Sequence, residues 1–181
     1  MEQRLAAGLK LRREQLGLTV AELAARSEVS RAMISKIERR EVSPTAALLG
    51  RLCNGLGITL SSLIANAEGP RTPPLMRAGD QPTWRDPQTG LVRTMVNPAN
   101  RGNVEIVRIE LPPGAEVGYR EQRHTSYEQQ LIVLAGKLTL RVAAEELELA
   151  ADDCIHLQTN VPLLFANRGR SPCRYLIIIN K

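Results

Sequence analysis

Between Ser30 and Arg40 the chain carries Arg31, Lys36, Arg39 and Arg40 against one acid, Glu38. Ala32 and Ser35 stand among the cations, so a helix here presents a narrow, basic flank of small and long side chains. Such a flank suits the major groove, where Arg and Lys donate to guanine and Ala32 touches a thymine methyl. A helix opening at Ser30 also offers free backbone N–H groups and a positive dipole end to a phosphate. A second polar group, Arg123, His124, Tyr127 and Gln129, lies in the later part of the chain. Arg and His together favour an anionic group such as a carboxylate; the same segment also reads as an exposed loop and strand edge. Covalent chemistry has less to stand on. Glu145-Glu146 reads as a solvated hairpin turn, and His156 as a histidine on a sheet surface between Ile155 and Leu157. Cys53, Cys154 and Cys173 are odd in number and lack metal spacing, which favours reduced thiols, with Cys154 and Cys173 read as buried fillers that can face each other on neighbouring strands.

Two kinds of element must position these groups. Up to about Asn66 the apolar residues recur every three or four positions. Leu5, Leu9 and Leu16 mark a first helix, ended by Gly17. Val20, Leu23 and Ala24 mark a second, Ile34 and Ile37 a third, and Leu48, Leu49, Leu52 and Leu56 a fourth. Thr19 with Glu22 forms a capping box, Ser30 caps the third helix, and Ser43-Pro44 reads as a cap followed by proline at the first helical position. Thr59 or Ser61 opens a short fifth helix through Leu63. Residues 66–82 hold four prolines and two glycines without a sustained period, and read as a linker. From Trp84 the period becomes two: Leu138, Leu140 and Val142 alternate with Thr139 and Arg141, and Leu147 and Leu149 with Glu146 and Glu148. Turn signals at Pro112-Pro113-Gly114, Gly136, Asp152-Asp153 and Arg168-Gly169 divide the stretch into short strands, as in an antiparallel sandwich or barrel.

Composition bounds the rest. The chain has 181 residues, a formal charge of +5 and a hydrophobic share of 43%, values of a folded protein in one or two units. No apolar run approaches the roughly 20 residues of a membrane span, and the charged opening lacks the form of a secretory signal. The expectation is a cytoplasmic protein with no membrane partner.

Arg12-Arg13, LTVAELA at 18–24, VSRAMISKIE at 29–38, SPT at 43–45 and Leu56-Gly57 together resemble the phage-repressor, or XRE, family of helix-turn-helix proteins. The resemblance implies a five-helix unit whose third helix enters the major groove. By position, Arg31, Ala32 and Lys36 resemble base readers, while Thr19, Ser30, Ser35 and Arg39 resemble backbone contacts. Arg13 and Glu38 match a partly buried structural ion pair. Arg40 departs from the family, which has glycine there; either the helix ends differently, or Arg40 takes a left-handed conformation at a cost on the order of 1 kcal/mol and adds a phosphate contact.

The later half, through YEQQLIVLAGKLTL at 127–140, LELAADDCIHL at 147–157 and VPLLFANRG at 161–169, resembles the cupin superfamily. That implies a small antiparallel β barrel, the double-stranded β-helix. Metal-binding cupins use two His and a Glu or Gln, then a further His. Here Gln129 takes the Glu position, His124 one His position, Gln122 or Arg123 its partner, and Leu163 the last. This set implies no metal, no cofactor and no catalytic residue.

The chain is therefore expected to be a two-domain α + β protein: a helix-turn-helix domain at 1–66, a linker at 67–83, and a cupin-like domain at 84–181 for dimerisation and effector binding. Its expected partners are double-stranded DNA, a second copy of itself and a small, anionic effector. It reads as a transcriptional regulator, most simply a repressor, on a near-palindromic operator. A cupin metalloenzyme with an accessory helical domain and an antitoxin-like autoregulator are the competing readings.

Overall fold

The computed structural model describes residues 2–65, 73–98, 103–122 and 127–180. Four helices of eight residues or more open the chain: α1 (Glu2–Gln15), α2 (Val20–Ser27), α3 (Arg31–Glu38) and α4 (Ala46–Gly55). A six-residue turn of helix, α5 (Leu60–Ala65), follows, so a count of five holds only if that short piece is included. Leu9, Leu23, Ile34, Leu49 and Leu52 are fully buried and form the centre of this head. Leu16 differs from expectation: it lies past the end of α1 and is 40% exposed.

Local chemistry explains the boundaries. The Thr19 hydroxyl accepts from the Glu22 N–H while the Glu22 carboxylate accepts from the Thr19 N–H at 2.7 Å, closing the capping box. Ser30 Oγ accepts from the Met33 N–H at 3.2 Å. The cap of α4 is Thr45, whose hydroxyl accepts from the Leu48 N–H, rather than Ser43; Pro44 precedes the cap instead of following it. Helix α3 ends in a Schellman turn. The Arg40 N–H donates to the Ile37 carbonyl at 2.9 Å and the Glu41 N–H to the Lys36 carbonyl at 2.8 Å. That turn needs a left-handed residue, and Arg40 supplies it at φ 65°.

One ion pair ties α1 to α3. Arg13 Nε donates to Glu38 Oε1 at 2.7 Å and a second guanidinium nitrogen to Oε2 at 2.8 Å, with the two side chains 10% and 9% exposed. The third Arg13 nitrogen donates to the Leu18 carbonyl at 2.9 Å, fixing the connection into α2.

The strands are β1 (Thr83–Arg85), β2 (Val92–Met95), β3 (Val104–Leu111), β4 (Glu116–Tyr119), β5 (Glu128–Ala135), β6 (Leu138–Val142), β7 (Glu145–Leu149), β8 (Cys154–Gln158), β9 (Leu163–Ala166) and β10 (Cys173–Asn180). They form two antiparallel sheets, ordered β1-β2-β3-β10-β5-β8 and β4-β9-β6-β7. The expected closed barrel is thus corrected to an open pair of sheets with free edges. The chain passes from the six-stranded to the four-stranded sheet at Pro112–Gly114, at Gly136 and at Asn160–Pro162, where proline lacks a donor or glycine takes positive φ, so ladders stop at these corners. Gly136, at φ 81°, has no room for a side chain: a methyl there would lie 3.0 Å from the Pro172 carbonyl. Asn167, 1% exposed, holds one corner by donating to the Leu111 and Ser171 carbonyls and accepting from the Gly169 N–H.

Smaller corrections follow from register. The β6–β7 turn falls at Ala143, with φ 52°, and Glu145 and Glu146 belong to β7, where Glu146 pairs with Arg141 and Arg168. Cys154 and Cys173 do not face each other, because β5 separates β8 from β10; Cys154 is exposed and Cys173 buried.

Two stability effects follow. Arg40→Gly is expected to raise unfolding free energy by about 1 kcal/mol, read as a higher urea midpoint at unchanged slope. Glu38→Ala strands Arg13 and should cost about 3 kcal/mol in the same measurement.

Candidate nucleic-acid interface and interdomain cavity

Helix α3 shows its cationic flank to solvent. Arg31, Ala32, Lys36, Arg39 and Arg40 are exposed, Ser35 is half-buried, and Ile34 and Ile37 point inward. Thr19, also exposed, opens α2. Two of these groups are already engaged: Ser30 Oγ caps its own helix, and Arg39 pairs with Glu41 at 2.6 Å, which holds the Glu41 carboxyl below its usual range. Glu28, between α2 and α3, sits at φ 54°.

The strand half packs on the head through α4, the start of α5 and the connection from α2 to α3. Asp86, 2% exposed, accepts from the Ala46 N–H at 3.3 Å, placing a carboxylate at the positive end of α4. Glu105 accepts from Thr59 Oγ1 at 2.6 Å and Ser62 Oγ at 2.7 Å. A methyl on Gly50 would lie 2.9 Å from the Tyr119 ring, so only glycine lets α4 approach β4 this closely. Arg120 completes the contact by pairing with Glu28.

Beneath α4 lies a cavity of about 50 Å³. Gly50, Cys53 and Leu60 form its wall on the head side, and the strand half contributes the polar residues Arg93, Arg120, Gln122, Tyr127, Gln129 and Thr159. Gln122 donates to Tyr127 Oη at 3.0 Å. Of the four residues expected to form an effector pocket, Tyr127 and Gln129 line this cavity, and Arg123 and His124 lie outside the described residues. Phe165 and Tyr175 also line the cavity, stacked at 6.0 Å, while Trp84 is buried opposite Arg93 in the β1–β2 register. The pattern of the sequence hides Arg93: a lone arginine in the short strand VRTM reads as outward-facing, yet it is 7% exposed. Asp86, Glu105 and Arg120 were equally silent, since each acts across some 40 residues or more of chain.

A cupin metal does not fit the described residues. Gln129 is a neutral amide, Leu163 is apolar and buried, and His156 is exposed on β8. Among the described residues no three His, Cys, Asp or Glu side chains gather.

Burial raises the cavity's acids. The Cys53 thiol is pushed up to about 12 from 9.0, and the Tyr119 hydroxyl to about 12 from 10.0. Each holds its proton more tightly folded than unfolded. Their contribution to stability is therefore complete below the ordinary thiol value near 9.0 and is lost as pH rises toward 12. The urea midpoint should stay level to about pH 8.5 and fall between about pH 9 and pH 11; a level midpoint throughout would mean that these groups are wet.

The chain matches the helix-turn-helix family over residues 9–63 and the cupin domain family over residues 107–179. It is 28% identical over 178 residues to the HTH-type transcriptional regulator SutR of Escherichia coli (strain K12), covering 97% of this chain and 94% of that one. A crystal structure of an HTH_3 family transcriptional regulator from Vibrio cholerae superposes with TM-score 0.82 at 22% identity, covering 99% of this chain and 96% of the other. A predicted oxalate decarboxylase from Thermotoga maritima superposes with TM-score 0.50 at 14% identity, over 59% of this chain and 97% of its own.

Proposed function

We propose how this chain, an XRE-type helix-turn-helix transcriptional regulator with a cupin domain, divides its work. The unit at 1–66 reads DNA, the stretch at 67–83 links, and the unit at 84–181 dimerises and receives a small anionic effector. The observation that carries this reading is the seating of the strand half on α4, which leaves the basic flank of α3 open. Arg31, Ala32 and Lys36 read base edges. Thr19, Ser30, Ser35, Arg39 and Arg40 contact the backbone, Ser30 through its helix end and Arg39 by exchanging Glu41 for phosphate.

One helix reads only a few base pairs, so useful affinity requires two copies about 34 Å apart on a near-palindromic operator. The outer face of the six-stranded sheet supports self-association: Val104 and Leu134 are exposed there, beside half-buried Ile106, Ile132, Leu176 and Ile178. The action is repression, by occupancy of the operator. No catalytic step is assigned, because the cupin ligand positions hold Gln129 and Leu163. Among the described residues no helix is long and apolar enough to cross a membrane, and the proposed setting is the cytoplasm.

Selection of bound sites from random duplexes tests the reading. Arg31→Ala and Lys36→Ala should relax preference at individual base pairs, whereas Arg39→Ala should weaken all sites alike and reduce the salt slope by about 1. Identical site preferences for Arg31→Ala, Lys36→Ala and the parent would sink the assignment.

A further inference from the structure

The cavity under α4 has a ligand chemistry of its own. At about 50 Å³ it has room for several water-sized groups, and a nucleotide or a sugar does not fit. Its wall carries two guanidiniums, the exposed Arg120 and Arg93, the latter 93% removed from solvent, with Gln122, Tyr127, Gln129 and Thr159 as further polar groups. Apolar surface from Ile109 and Phe165 makes up much of the remainder. Burial raises Cys53, Tyr119, Tyr127 and Tyr175, and the Arg93 charge pulls each of them back, while Glu105 adds to the rise of Cys53 and Tyr127 and Asp86 to that of Tyr119. A guanidinium in dry surroundings favours a planar carboxylate, which it meets through two parallel N–H donors. Apolar walls favour a short hydrocarbon tail.

We propose that this cavity binds a monocarboxylate of about two to four carbons, with Arg93 holding the carboxylate and α4 closing over the tail. The consequence for DNA rests on the regulator reading above; the site itself does not. An adjoining cleft of about 400 Å³, bounded by Glu28, Arg51, Asn54 and Arg120, shares Arg120 with the cavity and gives the way in. Arg120 pairs with Glu28, the residue that turns α2 into α3. A ligand passing here separates a contact made directly to the DNA-reading motif, and once seated it presses on Gly50 and Cys53. It thereby favours one placement of the head over another, which is the differential interaction that regulation requires.

Propionate added to the full chain is the test. Trp84, the single tryptophan, lies opposite Arg93 in the β1–β2 register and reports by fluorescence. Alkylation of Cys53 in a Cys154→Ser background reports on the lid. Propionate should change both signals saturably, with half-saturation at about 1 mM. 1-Propanol, propylamine and chloride at matched strength should change neither. Arg93→Leu should abolish the response, and Gln129→Leu should raise half-saturation about threefold or more. If Arg93→Leu does not fold, Gln129→Leu and the wild-type titration decide. A wild-type protein that binds duplex DNA yet gives no saturable response overturns the site, as does a propionate response unchanged in Gln129→Leu. Loss of DNA reading in the site selection would leave this titration untouched, so the two proposals fail separately.

Discussion

Helix α4 is the constraint on which the arrangement turns, because it is packed from both sides at once. On the head side, Gly55 lies so close to α2 that an added methyl would sit 3.0 Å from Ser27 Cβ and 3.2 Å from Leu23. On the strand side, Gly50 admits the Tyr119 ring. Two glycines in one helix cost about 1 kcal/mol each in helix propensity. The close approach on both faces offsets that cost, as does the Asp86 carboxylate at the first turn. Because Gly50 meets a rigid ring and Gly55 meets Ser27 Cβ and the Ser27 backbone nitrogen at close range, a shift of α4 against β4 is passed to α2.

The polar contacts reinforce this geometry. Glu105 is held by two hydroxyls from the segment opening α5, and Asp86 by an amide of α4 together with Thr89. Both carboxylates are nearly fully buried, so each is costly to keep there without its partners. The head and the strands are therefore joined by pairs that are satisfied only in the docked arrangement. The Arg13–Glu38 pair does the same inside the head, where it sets α3 against α1. By contrast Arg120–Glu28 lies in the open, with side chains 69% and 58% exposed, and is the contact most readily exchanged.

What could be read from residues alone follows the range of the interaction. Thr19 with Glu22, the inward pair Ile34 and Ile37, and the alternation of Leu138, Leu140 and Val142 are local, and their pattern is written within a few positions. The left-handed Arg40 was one of two open alternatives, decided by the Schellman bonds to Ile37 and Lys36. The cap of α4 was misplaced because serine before proline competes on equal terms with threonine two residues later. Closure into a barrel was overstated, since alternation describes strands and not which edges pair. Arg93 was invisible for a different reason. A charged residue in a strand is assigned to solvent by default, and only the strands and helix that gather around it reveal an interior position.

Strand β10, the last of the ten in the chain, lies between β3 and β5 at the middle of its sheet. During translation the helices leave the ribosome first, and their contacts lie close together along the chain. The strands wait: β3 and β5 have no common neighbour until residues 173–180 emerge. For that interval a nascent chain carries a finished reading head attached to an open, sticky half-sheet, and arrested or truncated synthesis yields a species with the head but without its seat.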